Sequence, residues 1–273
     1  MPAFQLKQFQ QQTNRLLQVF ALPSEFHSQL TRLFQRYEQP SYRYGTGVQA
    51  PPEPAYHLQP LMMDELINEL KYMAVERPRS ALLLAQECWT DEYYETKKVA
   101  AIVLGEAPLF DLAMFQDTFT QMLDSAGQEH YDLLFIHSWK RFREEHPEMV
   151  AEWISNWLAG DRLDVGLSAI QSLIRVEAMD SLPTIFRLIE KFVIIGDLSY
   201  REEILQIMDG LAKLSPMETA HFLSELTTHF YGEKRMQYFR ALCRSFGKPQ
   251  RDFINRAFMD PSVHYHDEDV IDD

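Results

Sequence analysis

Asp132 stands in the stretch AGQEHYDLL, directly ahead of an apolar run. A carboxylate there has two uses. It can stabilise a cation or a developing positive charge, or it can favour the positive end of a starting helix. Cationic side chains follow in WKRFREE, namely Lys140, Arg141 and Arg143, and two more, Lys97 and Lys98, come shortly after Tyr93 and Tyr94 in DEYYETKK. Such groups grip phosphates or complement the negative end of a helix. His264 to Asp269, HYHDED, collects imidazoles and carboxylates of metal-ligand type, but ligands on an acidic tail are poorly preorganised. His130 and His137 are seven apart, longer than the i, i+4 spacing of a helical metal pair. Cys88 and Cys243 each lie in helical apolar patterns and read as reduced, buried thiols. There is no HExxH, GxSxG, GxxxxGK[ST], GxGxxG or CxxC, so no cofactor and no metal is expected.

These candidates must be positioned by helices. Glycine is scarce, at 10 of 273 residues, and helix-favouring side chains dominate. Prolines recur at 78, 108, 147, 183, 216 and 249, at intervals of 30, 39, 36, 33 and 33. RPRSALLLAQECW, HPEMVAEWISNWL and SPMETAHFLSELT each place a proline just before an apolar helical pattern, fitting the first helical position. Between them EYYETKKVAAIVLGEA, HYDLLFIHSWKRFREE, LDVGLSAIQSLIRV and YREEILQIMDGLAKL show i, i+3, i+4, i+7 periodicity. Two helices per about 34 residues predict an all-α, right-handed α-solenoid of HEAT-like pairs, about 13–14 helices in all. The expected division is an N-terminal helical pair over 1–37, a proline-rich loop or linker over 38–60, a repeat domain over 61–260 and an acidic tail over 261–273. At this length the 38–60 loop is expected to be mobile or functional.

Charge is unevenly spread. Residues 1–60 carry 5 basic and 3 acidic side chains, net +2; 61–230 carry 14 and 29, net −15; 231–260 carry 7 and 3, net +4; 261–273 carry 5 acidic and none basic, net −5. The acidic middle argues against nucleic acid, whose binders neutralise phosphate with a basic footprint, while 231–260 keeps that option open. No leader pattern and no apolar stretch near ~18 residues is present, so a cytoplasmic protein with no membrane association is expected.

CWTDEYYETKKVAAIVL, followed by HYDLLFIHSWKRFREEHPEMVAEWISNWLAGDRLDVGLSAIQSL, resembles the AlkD-like DNA alkylation repair proteins over residues 75–230. The resemblance implies a HEAT-like solenoid that holds duplex DNA in a concave face and excises cationic alkylated purines. By its pattern, Asp132 falls at the family's catalytic aspartate. Gln128 falls where the family has one indole and Gln206 where it has another. Leu167 and Asp209 fall where it has phosphate-gripping arginines. Indole faces suit a cationic base, and a carboxylate suits an oxocarbenium-like transition state. The lesion- or DNA-facing candidates are then Gln128, Tyr93, Tyr94, Lys97, Lys98, Lys140, Arg141 and Arg143.

Two functions follow as expectations. One is a non-catalytic interaction scaffold or weak DNA-associated factor, taking a protein partner or duplex DNA at the concave face without a small-molecule cofactor. The alternative is an alkylpurine DNA glycosylase working through Asp132. A third idea has the 38–60 loop or the acidic tail folding over the basic 231–260 face as a regulator.

Overall fold

The apolar periodicity resolves into helices throughout the computed structural model, which describes residues 3–39, 50–176 and 179–259. In chain order they are α1 (Ala3–Gln18), α2 (Pro23–Tyr37), α3 (Pro60–Glu76), α4 (Pro78–Trp89), α5 (Tyr94–Glu106), α6 (Leu112–Asp124), α7 (Lys140–Glu145), α8 (Pro147–Ala159), α9 (Leu163–Arg175), α10 (Leu182–Ile195), α11 (Arg201–Leu214), α12 (Pro216–Glu225), α13 (Glu233–Leu242) and α14 (Lys248–Met259). Among the described residues these are fourteen α-helices with no strand, so the all-α expectation holds.

The proline spacing has a local cause. Pro78, Pro147 and Pro216 are the first residues of α4, α8 and α12, and Pro183 and Pro249 are the second residues of α10 and α14. There the missing N–H costs no helical hydrogen bond, and the fixed φ is already helical. Pro108 differs: it lies in the connection between α5 and α6, whose start is capped instead by Asp111 accepting from the Met114 N–H at 3.0 Å.

Packing divides the chain into two units, Met1–Val150 and Ala151–Asp273. In the first, α1 packs on α2 and α3, α2 on α4, α3 on α5 and α4 on α6. In the second, α9 packs on α11, α11 on α13 and α12 on α14, while Phe186 of α10 stacks on Phe222 of α12 at 4.8 Å. Within each unit a helix therefore buries its apolar stripe partly against the helix two places on. The first unit's core is rich in aromatics. Phe119, Phe135, Trp139 and Phe142 are all buried, and Phe135 meets Trp139 edge-on at 4.9 Å. Each such ring contributes about 2–3 kcal/mol by burial.

The pattern HYDLLFIHSWKRFREE predicts one helix, but three pieces form. They are a 3₁₀ turn at Gln128–His130, a π-helix at Leu133–Ser138, and α7. The Trp139 N–H reaches back five residues to the Leu134 carbonyl at 3.1 Å. The partner surface explains the widening. A Cβ placed on Gly105 of α5 would stand 1.8 Å from the His137 carbonyl oxygen. The π-turn presses its backbone onto α5 at the one position without a side chain to prevent it.

Candidate functional site: an acidic cleft at the start of the fifth helix

The first turn of α5 presents Tyr94, Glu95 and Lys98. Tyr94 and Lys98 are i, i+4 and share a face. Together with Asp64 of α3, Glu129 and Asp132, they line a cleft of about 320 Å³, walled by apolar groups including Leu58, Met63 and Leu133. Asp132 is thus positioned ahead of the π-helix, exposed at the cleft edge, with αR backbone (φ −61°, ψ −38°).

The remaining wall comes from residues 50–60. Glu95 is only 4% exposed, and its carboxylate accepts from the Tyr56 N–H at 2.9 Å and the Leu58 N–H at 3.4 Å. The Tyr94 N–H donates to the Pro54 carbonyl at 2.9 Å, and the Gln39 N–H to that of Tyr56 at 3.0 Å. The Tyr56 ring stacks on Tyr93 at 4.0 Å and 13°. His57 adopts φ +52°, with Nε2 2.7 Å from Glu53 Oε1. The described part of the 38–60 segment is therefore strapped onto α5. A buried carboxylate is stabilised by such amide donors, which take the place of its water shell.

The lining is dominated by negative charge. Four carboxylates, Asp64, Glu95, Glu129 and Asp132, face one ammonium, Lys98. Burial, and then the nearby Glu95 and Asp132, push the Tyr94 hydroxyl above its ordinary pKa, so it stays a hydrogen-bond donor at neutral pH. Such a lining attracts cations and repels phosphodiesters.

The other candidates sit elsewhere. Gln128 is exposed in the 3₁₀ turn and does not line the cleft. Tyr93 is occupied by its stack on Tyr56. Lys97 donates to the Trp89 carbonyl at 2.9 Å and lies 4.8 Å from that indole's centre. Burial lowers its pKa, against opposing pulls from Asp91, Glu129 and Glu92. The Trp89 indole N–H donates to Ser125 Oγ at 3.1 Å, and the residue is 4% exposed. Lys140 binds both Glu106 carboxylate oxygens, at 2.9 and 3.0 Å. Arg141 donates to the Glu106 carbonyl at 3.2 Å and pairs with Glu145 at 3.4 Å. Arg143 donates to the Phe135 carbonyl at 3.1 Å, and its burial lowers its pKa. Lys140 and Arg141 thus sit by Glu106 at the far end of α5, eight residues or about 12 Å along the helix from Lys98, and Arg143 is spent on the π-helix backbone.

In the second unit Leu167 is buried, Gln206 accepts from the Gln171 amide at 3.4 Å, and Asp209 pairs with Lys213 at 2.5 Å and accepts from the Ser245 hydroxyl. Among the described residues no group of three His, Cys, Asp or Glu suits a metal ion, and no helix is long and apolar enough to cross a membrane. HYHDED and the acidic tail lie outside the described residues, as do residues 40–49. His130 pairs with Glu129 at 3.2 Å, and His137 is packed in the π-helix, so neither joins a ligand set.

Sequence reasoning reached Asp132, Tyr94 and Lys98 but missed Asp64, Glu95, Glu129 and the strap. One signal was available. Glu95 shares the i, i+4, i+7 stripe of Val99 and Ile102, so an acid stood on a core-facing position. No known protein family, curated protein or solved structure matches this chain.

Proposed function

We propose that the chain is a HEAT-like α-solenoid, a divergent relative of the AlkD-like DNA alkylation repair proteins, and that it works as a non-catalytic binding scaffold. Its cleft takes a cationic segment of a protein partner. The solenoid reading is supported by prolines that open helices at repeat spacing and by the pairs within each unit, such as α2 with α4, α3 with α5, α9 with α11 and α12 with α14, in which a helix packs on the one two places along. The scaffold reading is carried by the cleft's charge, four carboxylates around one lysine. It gains support from Lys140, Arg141 and Arg143, whose donors are engaged with Glu106, Glu145 and Phe135.

The test is fluorescence anisotropy with a labelled oligolysine peptide and with duplex DNA. The peptide is expected to bind, and the pair Glu129→Gln with Asp132→Asn is expected to weaken it about 10-fold, equivalent to about 1.4 kcal/mol. Duplex binding with a steep salt dependence, unaffected by those substitutions, refutes the reading.

One observation favours a second reading, an alkylpurine DNA glycosylase. Asp132 lines the same cleft as the protonated Tyr94 hydroxyl, so a stabilising carboxylate and a donor share one concavity. Release of alkylated purines from DNA by the wild type, lost in Asp132→Asn, would establish it and displace the scaffold. No release by the wild type removes it.

A further inference from the structure

The N-terminal helix pair carries a second concavity, independent of the acidic cleft and opposite in sign. It has a volume of about 360 Å³ and is lined by Gln12, Arg15 and Leu16 of α1 and by Gln29, Arg32, Leu33 and Arg36 of α2. That size lies within the range of small-molecule sites, about 300–1,000 Å³. Leu16 and Leu33 are buried and form its floor, Gln12 and Gln29 are half-buried, and the three arginines are exposed.

No carboxylate lines this groove, and among the described residues none of the three guanidinia has an acidic partner. The sequence withholds one at every helical neighbour. Around Arg15 the i±3 and i±4 positions are Gln11, Gln12, Gln18 and Val19; around Arg32 they are Ser28, Gln29, Gln35 and Arg36. Over residues 1–37 Lys7, Arg15, Arg32 and Arg36 face a single acid, Glu25, which accepts from the Gln29 amide at 3.1 Å. This happens in a chain where acids outnumber bases 40 to 26. Arg32 and Arg36 are i, i+4 on one face, a spacing at which like charges repel. Three uncompensated guanidinia in one small groove leave a charge that a bound anion would neutralise. Each offers a fork of donors matched to phosphoryl oxygens, and the two glutamines add neutral hydrogen-bonding groups beside them.

We propose that the α1–α2 groove binds a compact polyanion carrying at least two phosphoryl groups, gripped by Arg15, Arg32 and Arg36. The groove's short extent, confined to two helices, favours a small ligand over a long polymer. The same chemistry is offered by a soluble polyphosphate moiety or by a phosphorylated lipid headgroup, and the experiment separates the two.

The full chain is titrated calorimetrically with inorganic tripolyphosphate, and in parallel sedimented with phosphatidylcholine vesicles, with and without phosphatidylinositol bisphosphate. Tripolyphosphate is expected to bind once per chain, and Arg32→Gln or Arg36→Gln to weaken it about 10-fold or more, the loss of one charge-assisted contact. Arg79→Gln, an exposed arginine of α4, removes the same charge elsewhere and is expected to change nothing. Arg32→Lys restores the charge without the fork and is expected to fall between wild type and Arg32→Gln. Co-sedimentation that needs the phosphoinositide and is lost in Arg32→Gln assigns the headgroup as the source; its absence assigns the soluble ligand. No saturable binding of tripolyphosphate overturns the proposal. So does an equal loss in Arg79→Gln, or DNA displacing tripolyphosphate at comparable phosphate concentration. Helical circular dichroism confirms that each variant is folded.

Discussion

Acidification tests the packing behind the cleft through one side chain, His137. It lies in the π-helix, mostly buried, with its backbone carbonyl against Gly105. Its pKa is pushed down to about 4, chiefly by burial and then by Lys98 and Lys71, while Asp132 and Glu106 pull the other way. The unfolded chain releases this proton near 6.5. Between those values the unfolded state binds a proton that the folded state refuses, so stability is lost as pH falls through 6.5 toward 4. At pH 5 an unfolded histidine is almost fully protonated and the folded one about one-tenth so, a cost of about 2 kcal/mol. For a chain of this size that corresponds to roughly 4–8 °C in Tm. The assay compares wild type with His137→Gln by urea unfolding at pH 7 and pH 5. Carboxylates titrate in both proteins, so their contribution cancels in the difference. The wild type is expected to lose about 2 kcal/mol more than the variant. Equal losses would refute the reasoning, because His137 would then take up its proton without opposition from burial.

Three further perturbations probe the same architecture. Gly105→Ala places a Cβ 1.8 Å from the His137 carbonyl oxygen, backbone that cannot rotate away, and is expected to cost at least about 3 kcal/mol by denaturation; a loss under 1 kcal/mol would mean that the π-turn is not pressed on α5. Glu95→Ala leaves the Tyr56 and Leu58 amides without acceptors, so hydrogen exchange at those two amides is expected to speed up while the α4 amides hold; about 1–3 kcal/mol is at stake. Lys140→Ala breaks a partly exposed pair with Glu106 and is expected to change stability by less than about 1 kcal/mol and leave oligolysine binding intact.

Helices were legible because their causes are local. Pro78, Pro147, Pro183, Pro216 and Pro249 mark starts, and the apolar stripes that follow them need only neighbours at i+3 and i+4. The π-helix was not legible, since LLFIHS fits an α-helix as well; its widening depends on Gly105, some thirty positions earlier and on another element. The same distance hid half of the cleft. Asp132, Tyr94 and Lys98 could be singled out from residue type and pattern, yet their surroundings are set by Glu95 holding two amides of a segment nearly forty positions away. That carboxylate is both a wall of the cleft and the tie that keeps the opposite wall in place, so charge and shape cannot be varied independently there. A substitution at Asp132 removes a charge from the exposed edge of the cleft, whereas one at Glu95 removes a charge and also the tie that holds the opposite wall. A cationic partner held mainly by charge therefore responds to Asp132→Asn as strongly as to Glu95→Gln, and one held mainly by shape responds to Glu95→Gln alone.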